Sequence, residues 1–342
     1  MATAEVIYAL NFAYWKRRSV RRFLAGSRVF FVNCAQRAAP GSTLAVWGRR
    51  AIPGGLPPGV RVLRLEDGFL RSIGLGADLI PPVSWVVDRR GIYYDATGPS
   101  DLEVILAETD FSPSMLQRAR ALRESIVAGG LTKYNTGDAV WSRPPAARRV
   151  VLVPGQVETD ASLLYGAPGV RTNVGLLCAV RAANPDAYVV YKPHPDVVAG
   201  LRAPGADEGR ALDWANEQIT EVGMGRLLSL VDEVHVLTSL AGFEALLRGK
   251  PVTCYGQPFY AGWGLTTDQL PLERRTRRLS LNELVAGALV LYPRYVSPRT
   301  GSLTTPEQAL DDLLEWRARV GKGVTWWRKV VRVILRRIVG VR

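Results

Sequence analysis

The sequence predicts an α/β fold in two halves, each built on a parallel sheet covered by helices on both faces. Three observations lead there. Short, continuous apolar runs, most of them β-branched, end in Gly, Pro or a polar residue and read as buried strands. Helical patterns alternate with them, and strands that are apolar throughout suit a sheet buried on both sides. A stretch rich in Pro, Gly and small polar residues, NTGDAVWSRPPAARR from Asn135 to Arg149, separates the halves as a linker.

In chain order, the first half (residues 1–140) has strands expected at 29–33, 44–47, 60–65 and 84–88, with helices at 16–24, 102–108 and 113–128. Asp88-Arg89-Arg90-Gly91 reads as a hairpin turn, with Tyr93-Tyr94-Asp95 on the returning strand. The second half (residues 146–300) has strands expected at 150–153, 188–191, 233–237 and 251–255, and helices at 172–183, 213–223, 241–248 and 281–288. Residues 301–342 read as C-terminal helices. Wound as a helix, TWWRKVVRVILRRIVGVR puts Trp327, Val330, Val331, Ile334, Leu335 and Ile338 on one face. Arg328, Lys329, Arg332, Arg336 and Arg337 fall on the other, and only Val333 is out of place. Aliphatics and Trp opposite cations suit an anionic bilayer interface.

Charge supports this reading of the tail. The chain carries +13, and its cations are concentrated at the ends: eleven Lys/Arg and no acid from Val6 to Leu65, and seven and no acid from Lys322 onward. Such ends could bind nucleic acid, but here they are interleaved with Trp, Val, Ile and Leu, which points to a membrane surface instead. No apolar run is long enough to span a bilayer, and the mixed start MATAEVIYALNFAYWKRR does not read as a secretion leader. Three widely spaced cysteines and two histidines exclude a disulfide framework and a His-rich metal site, so a reducing, cytoplasmic setting is expected. Neither a GxGxxG nor a P-loop pattern is present.

Four stretches carry possible chemistry. In VVYKPHPDV, Pro193 and Pro195 stiffen a loop that presents Lys192 and His194 at a strand end, a pairing that suits a phosphate. Further on, a strand ends at Thr238-Ser239 before a helix. Ser239 is placed to cap that helix, whose free N–H groups attract phosphate, and Glu244 is placed to accept from ribose hydroxyls. Arg71, after LEDGF, could fork onto a substrate carboxylate or pair with Glu66 or Asp67. YGQPFYAGWGLTTD, from Tyr255, offers aromatic surface for a sugar or base, or else packs under the core. VLVPGQVETD then ends a strand in Gln156, Glu158 and Asp160. Two acids in ExD spacing could hold a divalent metal or serve as nucleophile and base. Lys192, His194 and a helix N-terminus already neutralise a phosphate, so no metal is expected.

The stretches EDGFLRSIGLGADLIPPVSWVVDRRGIYYDATGPSDLE, VPGQVETDAS, YKPHPDV and SLAGFEALLRGKPVTCYGQPFYAGWGLTTD, in this order, resemble the bacterial capsule polysaccharide β-Kdo transferases of the KpsC/LipB type. The likeness runs from Trp15 to Tyr295. It implies a GT-B-like fold, with an acceptor-side Rossmann-like domain (1–140), a CMP-sugar-binding one (146–300), and C-terminal helices with the basic amphipathic tail (301–342). It also implies retaining transfer of Kdo from CMP-β-Kdo to a Kdo-bearing phospholipid acceptor, with no separate cofactor. The site is expected on the inner face of the cytoplasmic membrane, beside other capsule transferases and the export machinery. By resemblance, Asp160 is the nucleophile and Glu158 a supporting acid or base. Lys192, His194 and Pro195 hold the CMP phosphate with Thr238 and Ser239, Glu244 takes the ribose, and Gln156 and Arg71 take the sugar and its carboxylate. The family's QVEDD reads QVETD here, with Thr159 in the middle, and the chain has room for one module where many members carry two. The alternatives are another CMP-sugar transferase, such as a sialyltransferase, and a non-catalytic capsule assembly factor.

Overall fold

A computed structural model of the chain describes residues 4–52, 54–71, 82–132 and 139–320. They belong to two compact units. One is drawn from Met1–Arg71, Pro81–Leu122 and Asn282–Asp312, the other from Ser72–Ile80, Arg123–Leu281 and Leu313–Arg342. The C-terminal amphipathic helix expected at 327–338 lies outside the described residues.

The first unit starts with strands β1 (Val6–Leu10), β2 (Arg28–Val32), β3 (Thr43–Trp47), β4 (Arg61–Asp67) and β5 (Ser84–Asp88), and helices α1 (Tyr14–Phe23) and α2 (Asp101–Glu108); α3 (Pro113–Ala128) belongs to it as far as Leu122. The second unit holds β6 (Val150–Pro154), β7 (Tyr188–Lys192), β8 (Glu217–Gln218), β9 (Glu233–Val236), β10 (Val252–Cys254) and β11 (Thr267–Asp268). Its helices are α4 (Ala161–Gly166), α5 (Asn173–Ala183), α6 (Pro195–Val198), α7 (Met224–Leu230) and α8 (Leu240–Leu247). After α9 (Leu281–Val285), β12 (Pro293–Val296) and β13 (Leu303–Thr304) rejoin the first sheet, and α10 (Pro306–Val320) follows.

The second sheet, in order β11-β10-β9-β6-β7-β8, is parallel throughout. Its central strand Val150–Pro154 is buried at every position. Val151 and Val153 pack on one side with Leu163 of α4 and Leu176, Leu177 and Val180 of α5. Leu152, between them, is equally buried, so both faces are covered.

The first sheet, β13-β12-β5-β4-β3-β1-β2, corrects the expectation of a purely parallel one: β1 to β4 are parallel, but β5, β12 and β13 pair antiparallel. Antiparallel edge strands on a mainly parallel sheet are common. Their source here is the returning chain, since Pro293–Tyr295 pairs with Ser84–Val86. The residues near 293–300 therefore sit with the first unit, rather than with the half read as 146–300.

Local expectations fail at three further places. Residues 213–223 form no helix; Asn216 and Ile219 donate to Val189 and Tyr191 instead, so β8 extends the sheet. Asp88 does not open a hairpin. Its buried carboxylate collects the N–H groups of Arg90, Gly91 and Asp101 and the Tyr292 hydroxyl, holding the chain in a turn through Tyr93-Tyr94. The described part of the linker, though largely exposed, is tied down: Trp141 donates to Glu217 at 2.9 Å, and Arg143 to Asp232 at 2.8 Å.

Candidate active site

In the second sheet the strand order reverses between β6 and β9, and ligands of open α/β sheets bind beyond the carboxyl ends of strands at such a point. Register makes the alignment explicit. Pro154 lies opposite Lys192, and Leu152 opposite Val234, which puts Val236 on the same row. Two residues beyond that row the chain reaches Thr238, Gln156 and His194 on three neighbouring strands. At about 4.8 Å per strand, the outer two tips are about 10 Å apart.

Each tip is built by its own sequence. Asp160 caps α4, its Oδ1 accepting from the Ser162 N–H at 2.8 Å. The side chain is exposed, and Oδ2 has no protein partner among the described residues. Thr159 beside it is exposed. Glu158 is placed differently: one oxygen accepts from the Asn173 N–H at the start of α5 at 2.7 Å, the other from Ala206 N–H at 2.8 Å. A carboxylate at a helix N-terminus is favoured by the macrodipole, and this one ties the motif to the 205–206 loop.

Gln156 is buried, and its side chain spans the crevice between β6 and β9. Nε2 donates to the Thr238 hydroxyl at 3.0 Å, while Oε1 accepts the Thr238 N–H at 2.9 Å. Its amide therefore clamps the two tips, and the Thr238 N–H is already taken. Asn173, which the sequence reading missed, completes the clamp by accepting from the Gln156 N–H and donating to its carbonyl, both at 2.9 Å. The signal for it was a buried polar residue just after the α5 cap, Thr172.

Lys192 is 8% exposed. Its Nζ donates to the Thr220 carbonyl at 3.2 Å, and burial alone pushes its pKa down to about 8. A buried cation of this kind favours an incoming anion. His194 caps α6, with Pro195 at the first helical position and Nδ1 accepting the Asp196 N–H at 3.2 Å. In the neutral ring the proton must then sit on Nε2, which makes that atom a donor. Ser239 caps α8 and accepts from the Ala241 N–H at 3.3 Å; Glu244 lies buried one turn further on.

Two regions take the packing role. Tyr260 and Trp263 of the aromatic loop are fully buried, with Trp263 donating to Phe259 and Arg275 to the Pro258 and Ala261 carbonyls, so the loop presents no aromatic surface. Arg71, in the first unit, pairs with Asp67 at 2.7 Å. Among the described residues no group of three or more His, Cys, Asp or Glu is arranged to hold a metal. None of their helices is long and apolar enough to cross a membrane.

The chain belongs to the capsule polysaccharide biosynthesis protein family, whose model matches residues 57–135 and 131–295. It is 42% identical to the capsule polysaccharide modification protein LipA of Neisseria meningitidis over 322 residues, which take in 90% of this chain and 45% of that protein. The chain thus spans about half the length of that curated relative. Among solved structures it is similar to the Thermosulfurimonas dismutans KpsC β-Kdo 2,7 transferase, with 42% identity, 92% of this chain and 100% of that one covered, and a TM-score of 0.76. It is also similar to the β-Kdo 2,4 transferase of the same KpsC, with 34% identity, 90% and 97% coverage, and a TM-score of 0.78.

Proposed function

We propose that this chain is a retaining β-Kdo glycosyltransferase of capsule polysaccharide biosynthesis, using CMP-β-Kdo as donor and a Kdo-bearing phospholipid as acceptor. The observation that carries the reading is the row of three adjacent strand tips. It sets Gln156, at the start of the loop to Asp160, between a tip carrying Lys192 and His194 and a helix-capping tip at Ser239. The likeness, over 92% and 90% of this chain, to the two transferase structures of one KpsC supports it. The same reading assigns a GT-B-like fold, with the first unit on the acceptor side and the second on the donor side.

In this reading the uncommitted Oδ2 of Asp160 attacks the anomeric carbon of Kdo. The bond from that carbon to the CMP phosphate breaks, and CMP leaves with its charge held by Lys192, the Nε2 proton of His194, and the Ser239 cap. The acceptor hydroxyl then displaces the Asp160 carboxylate, its proton passing to solvent, so two inversions leave the configuration retained. Glu244 binds the ribose. Glu158 and Gln156 hold the loop that aims Asp160. Work on a lipid-linked acceptor puts the protein on the inner face of the cytoplasmic membrane, held by the basic tail at 327–338.

The test is intact-protein mass spectrometry after incubation with CMP-β-Kdo. Wild type gains one Kdo as CMP is released, and Asp160→Asn does not. An adduct on the Asp160→Asn protein, or no CMP release from wild type, overturns the reading. Release from CMP-sialic acid but not CMP-Kdo reassigns the donor.

A further inference from the structure

The first unit carries a charged surface that the transferase reading leaves unused. At 100° per residue, Tyr14, Trp15, Arg18, Arg21, Arg22 and Ala25 fall within a 120° arc of α1 and the turn after it, while Val20, Phe23 and Leu24 turn into the core. The arc contains no acid. Tyr14 is 86% and Trp15 59% exposed, an unusual state for two adjacent large aromatics. The other two cations of the helix lie over aromatic rings: Lys16 over Trp47 at 3.3 Å and Trp15 at 5.2 Å, and Arg17 over Phe31 at 4.9 Å and Tyr14 at 5.7 Å.

Beside this arc is an open hollow of about 610 Å³ lined by Arg18, Arg21, Arg22, Ala25 and Gly301–Leu303. Gly301 has φ +73, and a Cβ there would fall 2.6 Å from Arg22 Nη2, so the bare backbone lets the guanidinium lie against it. Arg18 and Arg22 have no hydrogen bond or ion pair among the described residues. Leu303, on the far rim, is 46% exposed.

We propose that this face docks on an anionic phospholipid bilayer, with a headgroup phosphate seated among the three guanidinium groups and Tyr14, Trp15 and Leu303 at the headgroup–acyl boundary. Arg18 and Arg22, with no hydrogen bond or ion pair among the described residues, and Arg21, whose guanidinium lies over the Phe31 ring at 5.0 Å, supply the charge complementarity. Amphipathic aromatics and a rim aliphatic are the groups that partition into that boundary, and a nucleic acid would leave Leu303 without a role. The surface is separate from the tail at 327–338 and does not depend on the chemistry at Asp160.

Flotation of the full chain with phosphatidylcholine vesicles, with and without phosphatidylglycerol, tests it. Wild type binds only the anionic vesicles, and salt weakens binding. Each cation near such a surface contributes about fivefold, so R18Q/R21Q/R22Q binds roughly 100-fold more weakly. R18K/R21K/R22K keeps the charge and retains binding, which separates lost docking from lost folding. Y14A/W15A weakens binding at unchanged salt dependence. A chain with the five tail cations changed to Gln still shows the loss on R18Q/R21Q/R22Q substitution. The proposal is overturned if R18Q/R21Q/R22Q floats like wild type, if binding ignores phosphatidylglycerol, or if the same arginines retain RNA while vesicles are not bound.

Discussion

Lys192 gives the most demanding test of the site, because burial suited to an anion costs the ligand-free protein stability. Desolvation lowers its pKa from 10.5 to about 8. At about 1.36 kcal/mol per pH unit, that is roughly 3 kcal/mol. The unfolded chain holds the proton more tightly, so stability rises with pH between about 8 and 10.5, and the full cost is present below pH 8. Lys192→Met keeps the stem and removes the charge. It forfeits the hydrogen bond to the exposed Thr220 carbonyl, an offset of about 1 kcal/mol. The variant should therefore be about 2 kcal/mol more stable than wild type at pH 7, with the gain vanishing toward pH 10.5.

The same substitution should abolish CMP binding. With wild type, CMP binding at pH 8.5 should take up a proton, since a bound phosphate restores the charged form. Urea unfolding across pH measures the first effect, and titration calorimetry in buffers of different ionisation enthalpy the second. A Lys192→Met protein less stable than wild type at pH 7, or one that binds CMP normally, would refute the reasoning.

Further outcomes follow from the other tips. Asp160→Asn keeps a good helix cap, so its melting temperature should match wild type while transfer is lost; Asp160→Ala should also lose about 1 kcal/mol in urea unfolding. Gln156→Ala strands the Thr238 N–H and should cost about 1–3 kcal/mol, with weaker donor affinity seen by calorimetry. Glu158→Gln turns an NH₂ group toward one of two main-chain donors and should destabilise the protein by about 2 kcal/mol in urea, its residual transfer rate tracking the folded fraction. Gly256→Ala would bring a methyl 2.8 Å from the Leu237 carbonyl and 2.9 Å from that of Gly166, both main chain, so thermal unfolding should show a marked loss.

Much of the fold is legible in the sequence because buried parallel strands have a strong local signature. The runs at 150–153, 188–191 and 233–237 are each found within a residue or two as β6, β7 and β9. The residues after them, Gln156 to Asp160, Lys192 to Pro195 and Thr238-Ser239, were singled out because strand-end loops need no such groups. Composition also marked the charged ends, and four ordered motifs marked the family. Pairing partners are another matter, since they are set by residues far away in the chain. Glu217–Gln218 becomes a strand only because β7 offers it an open edge, and Pro293–Val296 only because β5 does. The division of labour within one motif is also tertiary. Glu158 and Asp160 are the same chemistry two residues apart, yet one is bound by main-chain N–H groups of two distant segments and the other keeps an oxygen uncommitted. Local sequence determines which side chains reach a strand tip; the packing of remote backbone decides which of them remain available to react.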